Sequence, residues 1–122
     1  METLYNIHHD FAYTALVLNV FAGIWTLIGM KVDVVKRKKY FLYPIYIAWG
    51  ALTIQVFLGV SLLLFTKHQA PSMHYFYGFI SLMVMGGVFA YSKSFGKKKY
   101  LILGIVAIFL AALSVRTIMV VL

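Results

Sequence analysis

The chain of 122 residues contains no cysteine and only three acidic residues, none of which lies within a long apolar run. The absence of cysteine excludes disulfides, thiolate metal ligands and covalent attachment of a c-type haem. Charged residues make up 11% of the chain, whereas about 25% is typical of soluble domains. This composition excludes an ordinary soluble domain. A small proton-coupled exporter needs an acidic side chain within a membrane span, so the lack of one in the apolar runs disfavours that function.

What is present is apolar: 63% of the residues are hydrophobic and 17% are aromatic. Four runs, at 11–30, 40–66, 72–91 and 100–122, carry no charge except Arg116 in the last. Each reaches the roughly 20 residues that a helix needs to cross a bilayer, and none alternates as a barrel strand does. The sequence predicts an all-α polytopic membrane protein, a four-helix up-down-up-down transmembrane bundle in a single domain. The expected spans are about 9–30, 40–66, 72–92 and 100–122.

The basic residues are distributed very unevenly over the loops of this bundle. Nine of the eleven lie at 31–39 and 93–99, in the first and third loops, whereas the second loop carries only Lys67. By the positive-inside rule, the first and third loops face the cytoplasm and both termini lie outside the inner (cytoplasmic) membrane. Basic residues in these loops favour a role in orienting the protein in the membrane and in contacting anionic lipid over a role in binding nucleic acid. The N-terminus has no basic stretch and no small-residue cleavage site, so we expect the first span to be retained.

Small and polar residues recur at helical spacing along one face of each span. Such faces mark places where membrane helices or a cofactor approach closely, and helix packing alone accounts for each of them. The four faces comprise His8, Ala12, Ala15, Asn19, Ala22 and Thr26; Ala48, Ala51, Gln55, Gly59 and Leu62; His74, Gly78, Ser81, Met85, Val88 and Ser92; and Gly104, Ala107, Ala111 and Ser114. Two of these faces continue to a histidine at their outer end.

Those histidines open the first and third spans at the same depth. The two spans run parallel and lie diagonally in an up-down bundle, where the separation is roughly 11–14 Å. Such a gap suits a planar cofactor whose iron accepts one imidazole from each side, with Ala12 and Gly78 leaving room beside it. The pattern predicts one haem b near the outer face, ligated by His74 and by either His8 or His9.

Only one member of the histidine pair can point at the bundle axis, because a helix turns 100° per residue. His8 shares its face with Ala12 and Asn19 and is therefore favoured, with His9 as the alternative. His68, in the second loop beside Lys67, is a third candidate and is expected to be solvated. Zinc would require further ligands, to which Asp10 could contribute only one.

Arg116 is the one charge well inside a span. A buried unpaired arginine is costly, so it marks a candidate site, and a haem propionate would be a suitable partner. The alternative is that its side chain snorkels to the outer headgroups. Both interpretations remain open from the sequence.

The stretch Gln55-Val56-Phe57-Leu58-Gly59 precedes His74, and a histidine pair opens the span before it. This order resembles one four-helix half of the haem A synthase family, in which a Gln-x-x-Leu-Gly pattern precedes a haem-ligating histidine. The resemblance covers three of the four spans, implies a haem b site and places Gln55 in it. The chain has half the length of that family, has His9-Asp10 where the family has His-Arg, and lacks the cysteine pair and the catalytic glutamate. The resemblance therefore does not imply synthase chemistry.

The sequence thus predicts a membrane b-type cytochrome for electron transfer or haem handling, rather than a stand-alone enzyme. It would exchange electrons between a quinol or a membrane partner and an acceptor at the outer face. The alternative is a haem-free accessory or assembly subunit of a larger, respiratory-type membrane complex, and a small transporter comes third. We expect a homo-oligomer or a subunit of a complex, and no nucleic-acid partner.

Overall fold

The computed structural model describes residues 2–66 and 70–121, and within these ranges the chain is helical with no strand. The long helices are α1 (Glu2–Gly29), α3 (Tyr43–Phe65), α4 (Ser72–Ala90) and α5 (Lys99–Met119); the short α2 (Asp33–Lys36) and a 3₁₀ helix (Ser92–Lys98) lie in the connections. Four segments, each containing one of the long helices, are long and apolar enough to cross a membrane. The predicted all-α, multi-pass four-helix bundle is confirmed.

Two helix boundaries differ from the predicted spans. Helix α1 begins at Glu2 rather than near residue 9, so its 28 residues span about 42 Å, more than the hydrocarbon core requires. His8 therefore lies in the second turn of α1, not in the first. Helix α3 begins at Tyr43 rather than at residue 40, because Pro44 favours the first turn of a helix and lacks the N–H that an interior position needs.

The predicted inner faces are buried along most of α1 and α3 and all of α5, whereas α4 buries only Ser81 and Met85. Helix α1 packs against both α3 and α5. The buried members are Ala15, Asn19, Ala22, Thr26, Ala48, Ala51, Gln55, Leu62, Ser81, Met85, Gly104, Ala107, Ala111 and Ser114. The core of the bundle is accordingly formed by α1, α3 and α5.

Glycines allow α1 and α5 to approach closely. A Cβ atom added to Gly23 would lie 2.5 Å from Cδ1 of Ile108 and 3.1 Å from the carbonyl oxygen of Gly104. A Cβ atom added to Gly104 would lie 2.7 Å from Leu27. Since apolar side chains gain little from leaving lipid for another helix, such close backbone packing is what holds membrane helices together.

Polar side chains join α1 to the chain around α3. The Asn19 amide donates hydrogen bonds to the carbonyl of Ala15 at 3.0 Å and to that of Ala48 at 3.4 Å. The indole N–H of Trp25 donates to the carbonyl of Phe41 at 2.8 Å. Phe41 precedes α3, so this bond fixes the entry of the chain into that helix.

Helix α4 lies at the periphery. It packs mainly on α5 and meets α3 at few points, and no Cα atom of α1 lies within 8 Å of one in α4 over the described residues. The bulky side chains of Phe76 and Phe79 point away from the bundle, and only Ser81 and Met85 of this helix are buried. The diagonal placement of α1 and α4 is confirmed, whereas α3 and α4 are weaker neighbours than their short connection predicts.

We name the two ends of the bundle by their residues. The histidine end holds the start of α1 and the start of α4, around residues 2–10 and 72–75. The basic end holds the connections at 30–42 and 91–98, which carry eight lysines and arginines.

Candidate functional site

Two histidine rings meet at the histidine end. The ring centroids of His8 in α1 and His74 in α4 lie 6.2 Å apart, and the ring planes are at 84°. No Cα atom of α1 lies within 8 Å of one in α4 over the described residues, so the imidazoles reach across the diagonal of the bundle. The structure therefore brings together the favoured pair of predicted site residues.

The His74 ring is held in one tautomer by the end of α5. Its Nδ1 lies 3.0 Å from the carbonyl oxygen of Thr117. A carbonyl can only accept a hydrogen bond, so Nδ1 carries the proton, and the neutral ring keeps a lone pair on Nε2. This is the usual arrangement of a metal-ligating histidine, because the outer hydrogen bond orients the ring and raises the basicity of the free nitrogen.

The position of His8 is set by α3. The side-chain amide of Gln55 donates a hydrogen bond of 2.6 Å to the His8 backbone carbonyl. The ring of His8 rests on Gly59, where an added Cβ atom would lie only 3.0 Å from Cε1 of the imidazole. Glycine at this position leaves the space that the His8 ring occupies, and we call this contact surface the seat of the ring.

Two polar atoms beside this seat have no partner. Nδ1 of His8 and Oε1 of Gln55 are both buried and form no hydrogen bond in the described part of the chain. Buried polar groups are nearly always paired, and leaving one unpaired costs about 1–3 kcal/mol. Buried atoms of Asn19, Thr26 and Trp49 are likewise unpaired in the described part of the chain, so the two atoms beside the rings are not unusual for this bundle.

A metal–nitrogen distance of about 2 Å and about 1 Å from nitrogen to ring centre would place two imidazoles that share one metal about 6 Å apart. The observed 6.2 Å is of this size, and it also lies within the range of about 4.5–7 Å for ordinary packing of aromatic rings. Neither histidine lines the pocket beside Asp10 or the pocket beside Tyr46. A Cβ atom added to Gly78, one turn after His74, would meet nothing within 4 Å.

His9 lies in a different environment from His8. Its side chain is exposed, and its Nδ1 lies 3.1 Å from a carboxylate oxygen of Asp10. Its ring lies between those of Tyr5 and Tyr13, with centroids at 6.1 and 5.8 Å. The structure thus directs His9 towards an interfacial aromatic cluster rather than towards His74.

The remaining predicted site residues lie around the pair or away from it. Ala12 and Gly78 are half-buried on the faces that carry His8 and His74. Arg116 is exposed in the last turn of α5 and forms no ion pair with any acidic side chain that the structure describes. His68 and Lys67 lie outside the described residues.

Sequence reasoning missed the contribution of Thr117. Its carbonyl orients His74, and a backbone group has no signature in residue type. The one available signal was position, because Thr117 follows Ser114 by three residues and so continues the inner face of α5. Gln55 was placed in the site by resemblance, whereas its contact with the backbone of His8 is a finding of the structure.

The donor set consists of two imidazoles. Over residues 2–66 and 70–121, no three or more histidine, cysteine or acidic side chains lie together as a metal site would require. Two protein ligands suffice where a macrocycle supplies the others, as in a haem.

Comparisons of the chain with protein-family models, with curated proteins and with solved structures find no match. The functional interpretation accordingly rests on the residues and geometry described above.

Proposed function

We propose that the protein is a small membrane b-type cytochrome, in which His8 and His74 ligate one haem b at the histidine end. The observation that carries this proposal is the imidazole pair, 6.2 Å apart, on two helices that have no Cα atoms within 8 Å of each other over the described residues. Neutral imidazole is also the commonest protein ligand of metals, which favours a bound group over simple packing.

The chain's own residues orient the ligands. The carbonyl of Thr117 accepts the Nδ1 proton of His74, which would leave Nε2 as the nitrogen available to hold the iron. Gln55 and Gly59 hold the backbone and the ring of His8. A bound haem supplies one-electron chemistry between ferric and ferrous iron, and the protein tunes its potential through the ligands and their hydrogen bonds. We propose a quinol or a membrane protein as the electron partner.

Which histidine of the adjacent pair ligates can be tested directly. We expect His8→Ala to lose most of the bound haem, because its ring is the one that faces His74. His9→Ala is the matched control and should retain the haem spectrum, because its ring packs on Tyr5 and Tyr13 instead. Haem content is measured by absorbance per folded protein after purification in detergent. Retention in His8→Ala with loss in His9→Ala would reverse the assignment.

We further propose that the basic end faces the cytoplasm and that the histidine end lies outside the inner membrane. The absence of cysteine makes single-cysteine labelling clean. Thr3→Cys should react with a membrane-impermeant thiol reagent in intact cells, whereas Ser94→Cys should react only after the membrane is opened. The reverse pattern would place the haem site on the cytoplasmic side.

A second candidate is a haem-free accessory subunit of a larger membrane complex. The sparse packing of α4 favours this candidate. A Cβ atom added to Gly78, Gly86 or Gly87 would meet nothing within 4 Å. Small residues with free space are where another membrane helix can approach, in a second copy or a different subunit. A folded preparation that takes up no added haem would favour this candidate over the cytochrome.

A further inference from the structure

The basic end contains a pocket that the haem proposal does not use. Its cavity of about 450 Å³ is formed where the connection after α2 turns into α3. It is lined by the four cationic side chains at 36–39, which we call the charged rim, and by an apolar and aromatic set, which we call the aromatic wall. The aromatic wall comprises Phe41, Leu42, Tyr46 and Tyr100.

The charge of this rim is almost uncompensated. Four consecutive cations face the cavity, and the one nearby acid, Asp33, lies 3.8 Å from Lys36. This leaves Arg37, Lys38 and Lys39 without an ion pair among the described side chains. Such a cluster beside an apolar wall matches a ligand with an anionic head and a hydrophobic body.

The aromatic wall is rigid. Phe41 is buried and packs edge-to-face on Tyr100 at 5.0 Å, which joins the start of α5 to the start of α3. Its carbonyl accepts the hydrogen bond from Trp25 of α1. Three membrane helices therefore hold the wall in place, so the pocket exists without a ligand to organise it.

An exposed apolar surface continues from the pocket towards α4. The ring of Tyr46 lies 6.4 Å from that of Phe89 in α4, and α3 and α4 contact each other at few points. Gly86 and Gly87, which precede Phe89, are exposed and would meet nothing within 4 Å of an added Cβ atom. A hydrocarbon chain fits such a surface, whereas a soluble anion would leave it empty.

We propose that the pocket binds the phosphate headgroup of one anionic phospholipid, whose acyl chains lie on the exposed apolar surface beside Tyr46 and Phe89. A lipid is favoured over a soluble phosphate compound because about half of the pocket lining is apolar and Tyr46, which lines the pocket, belongs to a membrane-spanning helix. The binding is independent of the histidine site.

The test compares a pocket variant with a control of equal charge. Lys38→Gln/Lys39→Gln removes two cations from the pocket, and Lys97→Gln/Lys98→Gln removes two from the other connection at the same end. Binding of phosphatidylglycerol to the protein in neutral detergent is measured by native mass spectrometry. We expect the pocket variant to bind about thirtyfold more weakly, since each cation near an anionic headgroup contributes a factor of about five. The control should change by less than about threefold.

Two further arms identify the ligand. Phosphatidylcholine should bind much more weakly than phosphatidylglycerol, and glycerol phosphate should not displace the lipid. Phosphatidylglycerol should also raise the melting temperature of the wild type and the control, but not that of the pocket variant. Equal weakening in both variants, equal binding of phosphatidylcholine, or displacement by glycerol phosphate would each overturn the proposal.

Discussion

We expect His74→Ala to abolish the sharp α and β bands that the reduced wild-type protein shows when purified from a haem-sufficient host. Two axial imidazoles keep the iron six-coordinate and low-spin, which is what sharpens these bands. Loss of a ligand that α5 holds in position through Thr117 should lower haem affinity by more than about a hundredfold, beyond the effect of outer hydrogen bonds alone. The measurement is a reduced-minus-oxidised spectrum with haem titration into the purified protein.

The loss at His74 should be chemical rather than structural. The side chain is only half-buried at the end of a peripheral helix, so its removal should leave the bundle folded by circular dichroism. Free imidazole added to the variant should restore part of the low-spin spectrum by filling the vacant ligand position. Normal bands in His74→Ala, or a folded wild type that takes up no haem, would contradict the cytochrome proposal.

A second large effect is expected at Gly59. A leucine there would push the His8 ring from its seat, because even a Cβ atom would lie 3.0 Å from the imidazole. We expect Gly59→Leu to lower haem affinity by at least tenfold, since misplacement of a ligand by even a fraction of an ångström weakens the bond that it forms. Haem titration followed by absorbance measures this change.

Gly50→Leu is the matched control on the same helix. An atom added to Gly50 meets nothing within 4 Å, so this variant should bind haem as the wild type does. Leucine is a better helix former than glycine by about 1 kcal/mol, so neither change weakens α3 through propensity. Equal haem affinity in the two variants would show that the seat at Gly59 does not position the ligand.

Much of the fold could be predicted from the sequence because the membrane imposes simple rules. A run of about 20 apolar residues must form a helix to satisfy its backbone groups in lipid. The inner faces were predictable for a related reason: small residues such as Ala22 and Ala107 permit the close packing that joins membrane helices. The boundary at Glu2 was missed because polar residues outside the hydrocarbon core carry no apolar signal.

The candidate site was predictable only as a set of residue types at one end of the bundle. Sequence reasoning named His8, His9 and His74, and helix periodicity favoured His8. That the His8 ring faces His74 while His9 turns to Tyr5 and Tyr13 follows from the rotation of α1 against α3 and α5, which depends on packing. The sides of the membrane remain a proposal drawn from loop charge alone.

The sequence by itself determined that the helices lie in lipid, how many there are and which of their faces turn inward. Composition and periodicity are local properties, and a lipid environment constrains both of them directly. Only the tertiary structure decided that α4 lies at the periphery, that Thr117 orients His74 and that Gly59 seats His8. Each of these depends on contacts between residues distant in the chain, and residue type does not reveal which side chain a backbone carbonyl binds or which ring packs on a glycine.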